Sequence, residues 1–174
     1  FGHELSDDHG GQIPSKKTWA HGLKPADHEY VCCAYPGSGN QGIARRVFDA
    51  VSKNDDVGQV VVMWSLPSRY DWAMPRHKTL ENKRWATISP WDTSEHDEYA
   101  KEKLSSSPEQ SILWEQRTQN LLSSGVRQFA EAIYAYGANQ YHEIFLSWKS
   151  IIWIQNLLEK KKIPYMFTCA DNSL

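Results

Sequence analysis

The sequence predicts an α/β fold: a parallel sheet with helices on both faces, in a three-layer α/β/α sandwich. Three observations carry that prediction. Glu29–Tyr35 and Gln59–Leu66 are short, apolar and β-prone, the second with the unbroken run Val60-Val61-Val62-Met63-Trp64. A run without polar alternation is how a strand buried on both faces reads, and such strands belong to parallel sheets. Between them Ile43, Val47, Ala50 and Val51 recur at helical spacing, which supplies the crossover that parallel pairing requires. Ile163–Cys169 is a third strand of similar character, with Pro164 tolerated near its start.

In chain order, Phe1–Pro14 is polar and glycine-containing and reads as a loop. Asp7, Asp8 and His9 lie in it without any metal-ligand spacing, so a solvated loop and no metal are expected. Ser15 is placed to cap a short amphipathic helix in which Trp19 and Leu23 are four apart, and Pro25 stops it. The stretch around which the chain is organised is Cys32–Gly42, a strand running into the turn Pro36-Gly37-Ser38-Gly39 and then into a helix. Glycines there allow φ > 0 and close approach to backbone N–H groups, and a helix N-terminus adds partial positive charge. Such a turn suits an anion or oxyanion, although the same glycines also serve a sharp turn with no ligand.

Asn54–Gly58 is a turn before the second strand, and after that strand periodicity is lost. Residues 67–109 form an insertion in which Tyr70, Trp72, Trp85 and Trp91 are interleaved with Arg69, Arg76, Lys78, Lys83 and Arg84. Long connections without secondary structure are often lids, and they leave from the strand ends where α/β ligands sit. Arg69, Tyr70 and Trp72 are therefore the substrate-contacting candidates, the alternative being a tryptophan-pinned flap without a ligand. Ser107-Pro108-Glu109-Gln110 is a capping box opening a long helix that ends near Gly137, with Leu122, Val126, Phe129, Ala130 and Ile133 in period. A second helix spans Asn139–Lys162, with Tyr141, Ile144, Phe145, Trp148, Ile151, Ile152 and Leu158 expected on its core side and Lys160–Lys162 complementing its dipole. His142 on that helix is expected to be structural.

Composition bounds the rest. The 174 residues fit one domain over 1–174, and 40% hydrophobic content is enough for a core. A net charge of −2 leaves no electrostatic footprint for nucleic acid or an anionic membrane. Cys32, Cys33 and Cys169 are odd in number and lack zinc spacing, which points to a reducing compartment. No apolar stretch is long enough to span a bilayer and no signal peptide opens the chain, so a cytoplasmic protein is expected. The chain starts in a loop without methionine and stops just after a strand, so the sheet is expected to be incomplete at both ends.

Taken together these residues resemble the SGNH, or GDSL-like, hydrolase superfamily, especially SGNH-like proteins of tailed bacteriophages. Phe1-Gly2 looks like the end of the family's Gly-Asp-Ser-x-Thr-x-Gly block, whose Ser is the nucleophile and would lie upstream. Ala34-Tyr35-Pro36-Gly37-Ser38-Gly39-Asn40 is similar to the second block, with Gly37 in the oxyanion-donor position. The third block, Gly-x-Asn-Asp, matches Met63-Trp64-Ser65-Leu66, so Ser65 stands where the family has its donor Asn and Asn40 is the substitute donor. Trp64-Ser65-Leu66-Pro67-Ser68-Arg69 looks like the phage variant of that block. The closing Asp-x-x-His block has no counterpart, since Asp171 has no His three residues on.

The resemblance implies a flavodoxin-like sandwich and a serine esterase or acylesterase without cofactor, acting on a small-molecule or carbohydrate ester in the host cytoplasm. Gly37, Asn40 and Ser65 would be oxyanion donors, with nucleophile and base outside these residues, so the chain as it stands is expected to be inert. The alternative is a non-catalytic phage accessory or binding protein that keeps the fold. A third reading, a flavodoxin-like phosphate holder using Gly37, Gly39 and Gly42, lacks the acidic partner about twenty residues on.

Overall fold

In the computed structural model, which describes residues 3–5, 12–14, 19–35, 37–74, 85–97 and 108–170, the elements are β1 (His3–Leu5), β2 (Gln12–Pro14), α1 (Trp19–Gly22), α2 (Asn40–Lys53), β3 (Val60–Trp64), β4 (Tyr70–Ala73) and β5 (Trp85–Ile88), followed by a 3₁₀ turn (Pro90–Asp92), α3 (Pro108–Ser124), α4 (Val126–Ala132), a π-helical turn (Ile133–Gly137), α5 (Gln140–Lys161) and β6 (Tyr165–Cys169). The class is mixed α/β. Its parallel element is the pair β3 and β6, in register from Val60 beside Tyr165 to Trp64 beside Cys169. A further bond from Ala170 N–H to the Trp64 carbonyl at 2.8 Å carries the pairing past the strand end.

Alternation along these strands decides what covers them. Val62 and Trp64, with Val60, Tyr165 and Phe167 beside them, face Ala44 and Val51 of α2 and Ile151, Ile154 and Leu158 of α5 in one core. Met63 and Met166 point to the other face and are about two-fifths exposed. Among the described residues the sheet therefore has one helical layer, over one face. The unbroken apolar run is read from sequence as burial on both faces; here its odd-numbered members are the less buried ones.

The expected first strand, 29–35, has no regular secondary structure and no strand pairing, and Val31 and Tyr35 are exposed. A β-prone segment becomes a strand only where a neighbour satisfies its N–H and C=O groups, and no described strand lies beside this one. The expected N-terminal loop contains the short antiparallel pair β1 and β2; Asp7, Asp8 and His9 lie outside the described residues, as does Ser15.

The insertion is not structureless. β4 and β5 pair antiparallel, with Tyr70 beside Ile88 and Ala73 beside Trp85. Ala86 and Ile88 alternate inward and join Met74, Val126 and Ala130 in a second core, onto which Tyr70, Phe129 and Tyr134 pack. The helix expected to run unbroken to Gly137 starts at Pro108 but divides at Gly125, whose φ of 81° is left-handed. Glycine reaches that conformation without the steric penalty of a Cβ.

α5 begins where the sequence places it. The Asn139 side chain caps it by accepting from the N–H groups of Tyr141 at 2.9 Å and His142 at 3.3 Å. Its inward face differs from expectation: Ile151, Ile154 and Leu158 are buried, whereas Tyr141, Phe145, Trp148 and Ile152 face outward. Truncating fully buried Ile154 to Ala should lower unfolding free energy by ~2–5 kcal/mol. Ile152→Ala, on the opposite face, should change it by less than ~0.5 kcal/mol in the same urea titration.

Candidate functional site

Ser65 follows the last residue of β3 and Asn40 is the first of α2, and a side-chain clamp joins them. Asn40 Oδ1 accepts from Ser65 N–H at 2.7 Å and Nδ2 donates to the Ser65 carbonyl at 3.0 Å. Both backbone groups of Ser65 are thus held by one buried amide, as a neighbouring strand would hold them. The second Nδ2 hydrogen goes to Ser147 Oγ on α5 at 2.9 Å, and Ser147 Oγ donates to the Glu143 carbonyl at 2.9 Å. Arg69 Nη1 donates to Ser65 Oγ at 2.8 Å.

The N-terminus of α2 is filled by a carboxylate of the protein itself. Gly39, at the N-cap position, has no side chain to cap with, and Asp71 of β4 does that work from across the fold. Its Oδ2 accepts from Gly42 N–H at 2.8 Å, and its Oδ1 accepts from Thr87 Oγ1 of β5 at 2.7 Å. An N-cap Asp would bond the same amide, that of the third helical residue, and complement the same dipole. The approach is close enough that a Cβ on Gly39 would stand 2.6 Å from the Arg69 carbonyl, and one on Gly42 would stand 2.6 Å from Asp71 Oδ1. Gly39 and Gly42 are thus glycines because Asp71 and Arg69 pass over them. A phosphate held at this helix start would have to displace the Asp71 carboxylate.

The turn ahead of α2 is closed by Ser38. Its N–H and Oγ both donate to the Tyr35 carbonyl, at 3.3 and 2.7 Å, with Gly37 at φ 75° in the position that requires left-handed backbone. Arg46, nearly two turns into α2, donates to Ser38 Oγ. Burial pulls its guanidinium below the ordinary value, an effect that the Asp71 carboxylate opposes. Gly37 itself is exposed and makes no hydrogen bond among the described residues.

Of the residues singled out from the sequence, Asn40, Ser65 and Arg69 come together, and Gly37 sits in the turn leading into them. Tyr70 and Trp72 lie on the face of β4 opposite Asp71. Tyr70 Oη donates to Glu143 Oε1 at 2.9 Å, and its ring meets Tyr134 edge-on at 6.0 Å. Trp72 packs on Phe129 at 5.1 Å. Burial, then the bond to the Glu143 carboxylate, pushes the Tyr70 phenol up to about 12, and burial raises Tyr134 as well. Asp71, Arg46, Ser147 and Glu143 are the members that sequence reading missed; the i, i+3 glycines were the one local signal of Asp71. Among the described residues no three of His, Cys, Asp and Glu gather as a metal site would need. Comparison with protein-family models, with curated proteins and with solved structures finds no significant match.

Around the carboxyl end of β3 stand the Ser65 hydroxyl and the Arg69 guanidinium that donates to it, and the exposed residue Gly37 lies in the turn ahead of α2. Asn40 has both of its amide hydrogens spent internally. Asn40→Ala would orphan the Ser65 N–H and carbonyl, and calorimetry should register a loss of ~2–4 kcal/mol. Gly42→Ala sets a helix-propensity gain of at most ~1 kcal/mol against overpacking of ~1–3 kcal/mol; a lower Tm is expected. Tyr70 keeps its proton more tightly folded than unfolded, so its contribution is intact below about pH 10 and is lost as pH rises toward about 12. Urea midpoints over that range should fall less steeply for Tyr70→Phe than for the wild type.

Proposed function

We propose that this chain is the oxyanion-holding part of an SGNH-like serine hydrolase of the bacteriophage type, acting on an ester such as an acylated carbohydrate. The observation behind this reading is the clamp of Asn40 on Ser65 at 2.7 and 3.0 Å. It joins the two segments that carry the resemblance, Ala34–Asn40 and Trp64–Arg69, at the carboxyl end of a parallel strand, where α/β proteins bind ligands. In this reading a serine outside these residues attacks the ester carbonyl, and its proton passes to a histidine. The carbonyl electrons move onto oxygen, which the Gly37 N–H, the Ser65 hydroxyl and Arg69 stabilise. A three-layer sandwich would also cover the Met63 and Met166 face with further helices, and the setting would be the host cytoplasm. No helix among the described residues is long and apolar enough to cross a membrane.

A second reading, a non-catalytic accessory or binding protein on the same fold, is favoured by one specific feature. Asn40, the substitute for the missing family Asn, has no hydrogen left for an oxyanion, its Nδ2 being bound to Ser65 and Ser147. The test uses the product of the complete reading frame, short acyl esters and a serine-directed fluorophosphonate. Hydrolase function requires labelling and turnover, with Arg69→Ala lowering turnover ~100-fold. A folded protein with neither labelling nor turnover supports the accessory reading instead.

A further inference from the structure

The first half of α5 is inside out. Its inward residues are Glu143, Ser147 and Ser150, all buried, whereas Phe145, Trp148, Ile152 and Trp153 are each about half exposed. At helical spacing Phe145, Trp148, Ile152 and Asn156 form one stripe, directed away from Ile154 and Leu158. Phe48 of α2 stacks on Trp153 with centroids 5.3 Å apart, so the apolar surface continues onto a second helix. Contiguous exposed apolar surface of this kind marks an interaction site.

Charge specifies the occupant. From Ile144 to Leu158 the sole charged residue is Lys149, and Lys160 and Lys161 close the helix. Of the carboxylates on α5, Glu143 is turned inward to Tyr70, and Glu159, beside Lys160 at the far end of the helix, accepts from Gln155 at 3.0 Å and Tyr165 at 2.9 Å, while exposed Asp49 follows Phe48 on α2. Among the described residues Lys149, Lys160 and Lys161 have no carboxylate partner. A second copy fits this face badly, because Lys149 lies near the middle of the stripe and a two-fold axis there would bring it toward its own mate. We infer that the outer face of α5, with Phe48 beside it, docks an amphipathic helix of another protein whose apolar stripe is flanked by Asp and Glu.

The experiment uses the full chain and a fluorescein-labelled synthetic amphipathic helical peptide with leucines at i, i+3, i+4 and i+7 and glutamates beside them. A second peptide has every glutamate replaced by lysine. Fluorescence anisotropy should give a dissociation constant at least ~10-fold lower for the acidic peptide, and Ile152→Glu should weaken that binding ~10-fold or more. Lys149→Glu, a change at an exposed position, should erase the preference between the peptides and stands on its own if Ile152→Glu fails to fold. Equal binding of the two peptides overturns the proposal, as does acidic-peptide binding indifferent to both substitutions. Sedimentation showing self-association that Ile152→Glu abolishes would assign the face to a second copy and overturn it too. So would Lys149-dependent binding to phosphatidylglycerol vesicles with no binding of the acidic peptide.

Discussion

The N-terminus of α2 must be satisfied, and the way this chain does so sets the geometry around it. A helix start leaves backbone donors without partners and carries partial positive charge. Gly39 supplies no side chain, so the compensating carboxylate comes from Asp71, 29 residues beyond Gly42. That choice forces close approach, and close approach forces glycine at 39 and 42. It also brings β4 against α2 and leaves Arg69, two residues earlier, within reach of the Ser65 hydroxyl.

Two hydrophobic cores are joined by polar groups that each belong to both sides. The first core lies between the β3–β6 sheet and the α2–α5 layer, the second between the β4–β5 pair and α4. Asn40 ties α2 to β3's end and to α5, and Tyr70 ties β4 to α5 through Glu143. Tyr134 adds bonds to the carbonyls of Ser68 at 2.5 Å and Ile88 at 3.1 Å. Buried networks of this kind are favourable only when their members are satisfied together, which makes single deletions expensive. It also explains why α5 carries Glu143, Ser147 and Ser150 inward: its first half packs on a polar junction, its second half on the sheet.

The chemistry open to the site follows from which groups remain uncommitted. Asn40 is structural in its present bonding. Arg69 donates to the Ser65 hydroxyl, and Gly37 lies exposed in a turn whose shape is held by Ser38 and Arg46. A guanidinium beside a hydroxyl suits a neighbour with negative charge on oxygen.

Local signals were legible in the sequence wherever the energetics are local. The helix start at Pro108, the start of α5 after Asn139, its lysine-rich end and the apolar runs of β3 and β6 depend on neighbours within a few residues, and each stands where it was read. Trp85-Ala86-Thr87-Ile88 alternates in burial along its strand, but its sequence, with Trp85, Ala86 and Ile88 all apolar, does not alternate and gave no strand signal. Three matters were decided only by tertiary structure. Whether 29–35 becomes a strand depends on a distant chain offering hydrogen bonds. Which face of α5 turns inward depends on Asn40 and Tyr70 needing partners there, a demand strong enough to leave Phe145, Trp148 and Ile152 outside. Which anion fills the N-terminus of α2 depends on where β4 passes, so the glycine spacing announced a close approach without naming Asp71. Propensity and capping act over one or two turns of chain; the choice among distant partners is made by packing.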